Sequence, residues 1–334
     1  MRIGLAGAGR IGAFHASTLA ALHDVDQIVV SDAFPAAATR VADEHGYEFS
    51  PDLDDLLSRV DALVITTSTH GHAATLRSAL AAKVPTFCEK PVAATLVETI
   101  ELVDLVRETD VPVQVGFQRR FDAGYRRARE AVVSGELGFL HTVRVNTHDQ
   151  SPPPAAYIPT SGGLFRDCSI HDFDVLRFVT GREVASVYAV GANKGADFFA
   201  EGGDVDTGAA VLTLDDSTLV TASATRYNGG GHDVRMEVMG SEGTIGVGYD
   251  DSLAVRSAET GADYPRGPQK WSFMERFQPA YRTELAAFCD VVAGRAESPC
   301  TVADALAAFR VAEACEVSRT TGRQVAMSEI GGAA

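Results

Sequence analysis

Asp167 and His171 stand four positions apart in Gly162-Gly163-Leu164-Phe165-Arg166-Asp167-Cys168-Ser169-Ile170-His171-Asp172-Phe173-Asp174. On a helix that spacing turns both side chains to one side, a carboxylate beside an imidazole. The carboxylate can fix the tautomer of the ring and raise its basicity. An imidazole titrates near neutrality, so the pair suits removal of a hydroxyl proton. A third candidate is Lys90, in Glu89-Lys90-Pro91. Its ammonium could hydrogen-bond a substrate hydroxyl and stabilise the alkoxide that develops as hydride leaves the carbon. Pro91 restricts the backbone of the residue before it and so helps aim the lysine. Taken singly, a lysine is an ordinary surface residue and an Asp/His pair an ordinary helix-surface contact. Their weight comes from the elements that carry them.

A glycine-rich segment supplies the first of these. Gly7-Ala8-Gly9-Arg10-Ile11-Gly12 follows an apolar run at once and opens a helical pattern, the context in which G-x-G-x-x-G is informative. Gly7, Gly9 and Gly12 permit a tight turn and close backbone approach, and the helix N-terminus offers free N–H groups and a positive dipole end to a pyrophosphate. Asp32 ends the next apolar run, about 20 residues further on, where a carboxylate can accept hydrogen bonds from the adenine ribose. A 2′-phosphate would meet like charge there, and neither Ala33 nor Phe34 is basic, so NAD is expected in preference to NADP. A glycine turn can also exist without a ligand; strand, helix and Asp32 in order argue against that reading.

The first 120 residues alternate apolar runs with helical stretches, as βαβ units of a doubly wound parallel sheet do. Five strands are predicted: Arg2 to Ala6, Gln27 to Ser31, Ala62 to Thr66, Thr86 to Cys88 and Pro112 to Val115, each apolar enough to be covered on both faces. Lys90 then lies at the carboxyl end of the fourth, where open parallel sheets bind ligands. A capping box at Thr95 and Glu98 starts a helix with Ile100, Leu102, Val103 and Val106 inward. From about residue 138 the pattern changes to period two, as in Val143, Val145 against Arg144, Asn146 and Val234, Met236, Val238 against Arg235, Glu237. With further runs at Ser186 to Val190, Gly208 to Leu214, Thr218 to Ala224 and Thr244 to Val247, a large, mostly antiparallel open sheet of about six strands is expected. The helix after Asp167 buries Ile170, Phe173, Leu176 and Val179 and stops at Gly181. Two more helices close the chain, around Tyr281, Leu285, Phe288 and Val292 and from Thr301 and Asp304 through Leu306 and Phe309. The chain thus reads as two α/β domains, 1–120 and 121–334.

Composition narrows the function class. A formal net charge of −16 with no Lys/Arg cluster speaks against nucleic acid as a partner. Five cysteines, odd in number and without C-x-x-C spacing, read as reduced thiols rather than a disulfide framework or zinc knuckle. The N-terminus runs into Ile3 to Ala6 without a long hydrophobic segment or cleavage signal, so a soluble cytoplasmic protein is expected, without membrane insertion. His70-Gly71-His72 resembles a metal half-site but has no third ligand nearby, and no metal is assigned. His15, His23, His45, His141 and His148 read as structural or exposed, Trp271 as core, and Pro152-Pro153-Pro154 as a stiff loop.

Four motifs, in order and spacing, carry a resemblance over nearly the whole chain. GAGRIG at Gly7, CEKPVA around Lys90, VGFQRRFD from Val115 to Asp122, and SPPPAAYIPTSGGLFRDCSIHDFDVLRF from Ser151 to Phe178 resemble the Gfo/Idh/MocA oxidoreductase family, in its inositol 2-dehydrogenase branch. The resemblance implies a Rossmann domain followed by an α/β domain whose open sheet forms dimer or tetramer contacts, so a homo-oligomer is expected. It implies Lys90, Asp167 and His171 as a catalytic trio acting on a cyclic polyol or sugar. It further implies Gly9, Arg10, Ile11, Asp32, Thr67, Ser68, His72, Glu89, Lys90 and Gln118 as cofactor contacts, with Arg119 and Tyr281 near the substrate. Tyr227-Asn228-Gly229-Gly230-Gly231-His232-Asp233 departs from the aromatic-rich loop of inositol dehydrogenases, which leaves the choice of ring and stereoisomer open. The alternatives are a sugar or anhydrosugar dehydrogenase or keto-sugar reductase, an NAD-retaining enzyme that cleaves glycosides, and a nicotinamide-sensing protein without turnover.

Overall fold

The computed structural model describes residues 1–331 and divides into two compact units, Met1–Phe121 with Pro279–Leu306, and Asp122–Gln278 with the chain from Ala307 on. The first unit holds six parallel strands: β1 (Arg2–Ala6), β2 (Gln27–Ser31), β3 (Glu48–Phe49), β4 (Ala62–Ile65), β5 (Thr86–Glu89) and β6 (Val113–Gly116). Five helices alternate with them, α1 (Arg10–Ala20), α2 (Pro35–His45), α3 (Leu53–Ser58), α4 (Thr69–Ala81) and α5 (Leu96–Arg107). The sheet order is β3-β2-β1-β4-β5-β6. The chain therefore winds outward from β1 in both directions, and the order reverses between β1 and β4, the switch point at which such sheets open a crevice. β4, β5 and β6 are buried at every residue, β4 wholly apolar and the other two with Thr86, Glu89 and Gln114 among their apolar residues.

Ile3, Leu5, Val30, Val64 and Phe87 form the centre of this unit together with Leu285 and Phe288. The free edge of β6 is closed as well: Val115 N donates to Cys300 O at 2.9 Å, and Gln114 Nε2 to Glu284 O at 3.0 Å. A single cut after residue 120 thus misassigns residues 279–306, whose apolar side completes the first core. Thr95 caps α5 by accepting from Glu98 N at 3.2 Å, but the Glu98 carboxylate accepts from the Thr95 hydroxyl at 3.1 Å, so only half of the expected box forms.

In the second unit helix α6 (Ala123–Val133) and helix α7 (Ile170–Thr180) pack against each other beside a seven-stranded sheet. Its strands are β7 (Leu140–His148), β8 (Val184–Ala192), β9 (Thr207–Leu214), β10 (Leu219–Thr225), β11 (Asp233–Gly240), β12 (Thr244–Val247) and β13 (Val325–Ala326). Their order is β12-β11-β7-β10-β9-β8-β13. All neighbours are antiparallel except β7 and β10, which run parallel in the register Val143 to Val220 and Asn146 to Ser223. The seventh strand comes from the far end of the chain, beyond the six expected. The period-two pattern places Val143, Val145, Val234, Met236 and Val238 inward. Tyr188, Val190, Val211 and Leu219 remain exposed on the strands. The long helices α8 (Phe273–Val292) and α9 (Val302–Thr321) each carry a unit boundary within them. At the start of α9 the capping box is complete, with Asp304 N on Thr301 Oγ1 at 3.1 Å and Thr301 N on Asp304 Oδ2 at 2.9 Å. Trp271 is 49% exposed and is not the core residue expected.

Candidate active site

In the first unit the expected residues other than Tyr281 gather at the carboxyl ends of five adjacent strands, β2, β1, β4, β5 and β6. Gly7 leaves β1 at φ +108°, and a Cβ there would stand 2.5 Å from the carbonyl carbon of Thr66 and the nitrogen of Thr67, just past β4. A Cβ on Gly12 would lie 2.0 Å from Gly7 O. Glycine is required at both positions because backbone passes against backbone. Gly9 differs, since a Cβ there meets nothing within 4 Å. It is the N-cap of α1, with no side-chain cap, and Arg10 and Ile11 follow it in the first turn. The helix end is thus without a side-chain cap and has open space beside Gly9, which fits a dinucleotide pyrophosphate.

Asp32, half-buried at the end of β2, is fixed by its own backbone surroundings. Oδ2 accepts from Ala8 N at 2.6 Å and Oδ1 from Phe34 N at 2.8 Å. Each oxygen has a further lone pair for a ribose hydroxyl. Thr67 and Ser68 follow β4, and Ser68 is the N-cap of α4. His72, one turn into α4, is buried and sits between carbonyls: Nδ1 lies 2.7 Å from Pro91 O and Nε2 3.0 Å from Thr67 O. It ties the turn after β4 to the turn after β5, and burial pushes its pKa down although both carbonyls favour the charged ring. Both nitrogens thus face backbone carbonyls, and the neutral ring donates to one of them. Among the described residues no group of three or more His, Cys, Asp or Glu is placed to hold a metal ion.

Lys90 follows β5, half-buried, and the Lys90–Pro91 peptide is cis. Its N–H donates to Glu89 Oε2 at 3.2 Å. The Glu89 carboxylate, expected on the cofactor, faces inward, with Oε1 2.6 Å from Nε2 of the fully buried His15 on α1. Gln118 and Arg119, in the 3₁₀ turn after β6, are both buried. Tyr281, expected near the substrate, is instead packed edge-on to Phe14 at 5.2 Å and to His15 at 5.5 Å. It is 4% exposed, and burial, followed by the Glu89 charge, raises its hydroxyl well above the usual tyrosine range. It serves there as packing for α1.

The second unit holds the acid–base candidates. Asp167 lies in a π-helical turn, Phe165–Ser169, and His171 is the second residue of α7, which Gly181 ends in the left-handed conformation. The wider turn replaces the regular helix expected at Asp167. Its carboxylate accepts from Arg226 Nη2 at 2.7 Å on Oδ2 and from the Tyr157 hydroxyl at 3.1 Å on Oδ1. Arg226 also reaches Asp149 Oδ2 at 3.3 Å. Arg226, Asp149 and Tyr157 were not among the candidates. Tyr157 lies inside the motif stretch from Ser151 to Phe178, but a buried arginine just past a strand leaves no periodic signal.

An open helix N-terminus between a glycine turn and a strand-end carboxylate defines a dinucleotide-binding unit of an oxidoreductase, here joined to a second α/β unit that carries the candidates Asp167 and His171. Residues 1–117 match the family model described as an oxidoreductase family with an NAD-binding Rossmann fold, and residues 125–246 match the GFO/IDH/MocA C-terminal domain. The chain belongs to the Gfo/Idh/MocA oxidoreductase family. It is 38% identical to a myo-inositol dehydrogenase of Streptomyces leeuwenhoekii over 96% of this chain and 98% of that one. It is 35% identical to an inositol 2-dehydrogenase of Rhizobium meliloti, over 98% and 99%. A scyllo-inositol dehydrogenase of Lactobacillus casei, solved with bound NAD(H) and scyllo-inositol, superposes with a TM-score of 0.89 at 29% identity, covering 98% of this chain and 99% of that one.

Proposed function

We propose that this oxidoreductase uses NAD to oxidise a secondary hydroxyl of a cyclic polyol of the inositol type to a ketone. The observation that carries the proposal is the grouping in the first unit: an open helix N-terminus at Gly9, Asp32 locked beside it, and Lys90 at the end of β5. The full-length similarity to inositol dehydrogenases supplies the substrate class. Asp32 is anionic next to Phe34, which is 77% exposed, and this supports NAD over NADP.

Bound NAD supplies the hydride acceptor. His171 takes the hydroxyl proton, and Asp167 holds a negative charge that favours the imidazolium so formed. The Lys90 ammonium hydrogen-bonds a substrate hydroxyl and stabilises the charge that builds on oxygen as the carbon loses hydride. Arg119 is the remaining candidate for contact with a ring hydroxyl. Five buried thiols, none in a disulfide among the described residues, support a reducing cytoplasmic setting. The exposed apolar side chains Tyr188, Val190 and Val211 support a homo-oligomer built on the open sheet.

The test is absorbance of NADH formed from NAD with inositol stereoisomers, pyranoses and anhydrosugars. Formation with at least one inositol is expected. Turnover with pyranoses alone would move the substrate to sugars, and leaving-group release from a chromogenic glycoside without added NAD would overturn a plain dehydrogenase.

A further inference from the structure

Behind Asp167 lies a charge cluster that the acid–base pair itself does not explain. We propose that Arg226 is a positioning residue of the reaction: it clamps Asp167 in one orientation as a permanent anion, and is itself braced by Asp149 and the 227–233 loop.

Arg226 is held from several sides within the second unit. Its side chain is 4% exposed, spans Asp167 Oδ2 at 2.7 Å and Asp149 Oδ2 at 3.3 Å, and its backbone N–H donates to Asp206 O at 2.8 Å. Asp149 is braced in turn: its N–H donates to Thr225 O at 2.9 Å, and its O accepts from Asn228 N at 2.8 Å. Its carboxylate faces His232 Nδ1 at 3.3 Å and the Cys168 thiol at 3.4 Å. Asn228 and His232 belong to the loop that departs from the inositol dehydrogenase pattern, so a change in that loop is transmitted to Asp167 through two residues.

The consequence is electrostatic. A guanidinium in contact keeps a carboxylate ionised, and Arg226 contacts both Asp167 and Asp149. Tyr157 donates to the other Asp167 oxygen and cannot protonate it at neutral pH, because burial and then the Asp167 charge raise its hydroxyl above the usual range. Burial alone would raise the Asp149 carboxyl, but the His232 hydrogen bond, then the charges of His232 and Arg226, hold it down to about 2. Asp167 therefore does not compete for the proton. The proton goes to His171, whose imidazolium the ionised Asp167 favours. The charged and titratable groups shown around Asp167 and Arg226 are Tyr157, Cys168 and Asp149, with His232 beyond Asp149.

This inference rests on the dehydrogenase reading, so its test has one readout that does not. In full-length Arg226→Met, loss of the cation raises the Asp167 pKa by about one to three units. Because His171 must be neutral to take the proton, the acid limb of kcat/KM reports its deprotonation; loss of the cation leaves more negative charge nearby and moves that limb up, kcat falls at least tenfold, and KM for NAD stays within twofold. Arg226→Lys keeps the charge but not the fork, so it restores the limb and part of kcat. Independently, the Asp167 carboxyl carbon is titrated by NMR in wild type and both variants, with circular dichroism and NAD binding confirming folded protein. A raised Asp167 titration in Arg226→Met alone supports the clamp, even if no polyol is turned over and the function assignment fails. An unmoved titration and limb, or a Lys variant as impaired as Met, overturns the clamp while leaving the dehydrogenase reading intact.

Discussion

Gly7 and Gly9 are two residues apart in one turn, yet alanine at each should fail in opposite ways. At Gly7, φ +108° lies where an L side chain is strained by about 1–2 kcal/mol. The new Cβ would also stand 2.5 Å from peptide atoms of Thr66 and Thr67, backbone that cannot rotate away, for about 1–3 kcal/mol more. The sum, about 2–5 kcal/mol, corresponds to a fall in Tm of roughly 10 °C. At Gly9 the backbone is at φ −74°, ψ −168°, which alanine adopts freely, and no atom lies within 4 Å of the new Cβ. The cost of alanine at an N-cap, about 1 kcal/mol, is offset by about 0.4–1 kcal/mol of lost unfolded-chain entropy. Gly9→Ala should therefore keep its Tm within about 2 °C. Its methyl group nevertheless enters the open space beside the α1 N-terminus where the pyrophosphate is placed. Losing one charge-assisted contact there, about 1.5–3 kcal/mol, weakens NAD binding tenfold to a hundredfold. Differential scanning fluorimetry and isothermal titration calorimetry read the two effects separately. A Gly9→Ala protein that binds NAD as wild type does would refute placement of the pyrophosphate at this helix end.

Lys90→Ala should lower kcat about a hundredfold or more while NAD affinity changes little, measured by steady-state rates and cofactor titration; equal losses in both would remove its assigned role. Asp32→Ala removes two acceptors and the like charge that a 2′-phosphate meets, so NAD affinity should fall about tenfold or more and the NAD/NADP ratio should move toward NADP. For Asp149 the folded pKa, about 2, lies below its unfolded value of 3.8. Its contribution, about 2 kcal/mol, is complete above roughly pH 4 and disappears as pH falls toward 2. Urea unfolding of Asp149→Asn across that window should show a flatter loss of stability than wild type.

Much of the fold is legible because its signals are local. β1 and β2 end where their apolar runs end, and β12 is marked by Thr244 to Val247 between turns. β3 and β13 are two residues each, too short for any period to show. The return of residues 279–306 to the first core is visible only through long-range packing, as with Phe288 beside Phe87. In the site, the glycine turn and Asp32 follow from spacing, since their roles are set within one βαβ unit. Glu89 and Tyr281 turn inward for a reason that spacing does not contain, the fully buried ring of His15 on α1. Arg226 reaches Asp167 across 59 positions, and nothing local marks a strand-end arginine as buried and doubly paired.

The most direct measurement follows the hydrogen itself. The enzyme is incubated with NAD and an inositol deuterated at its ring carbons, and the reduced cofactor is analysed by NMR and mass spectrometry. Direct transfer from a carbon bearing a hydroxyl places one deuterium at C4 of the nicotinamide, on a single face, with a ketone as co-product. Reduced cofactor without deuterium, or none formed with any cyclic polyol, would contradict the account.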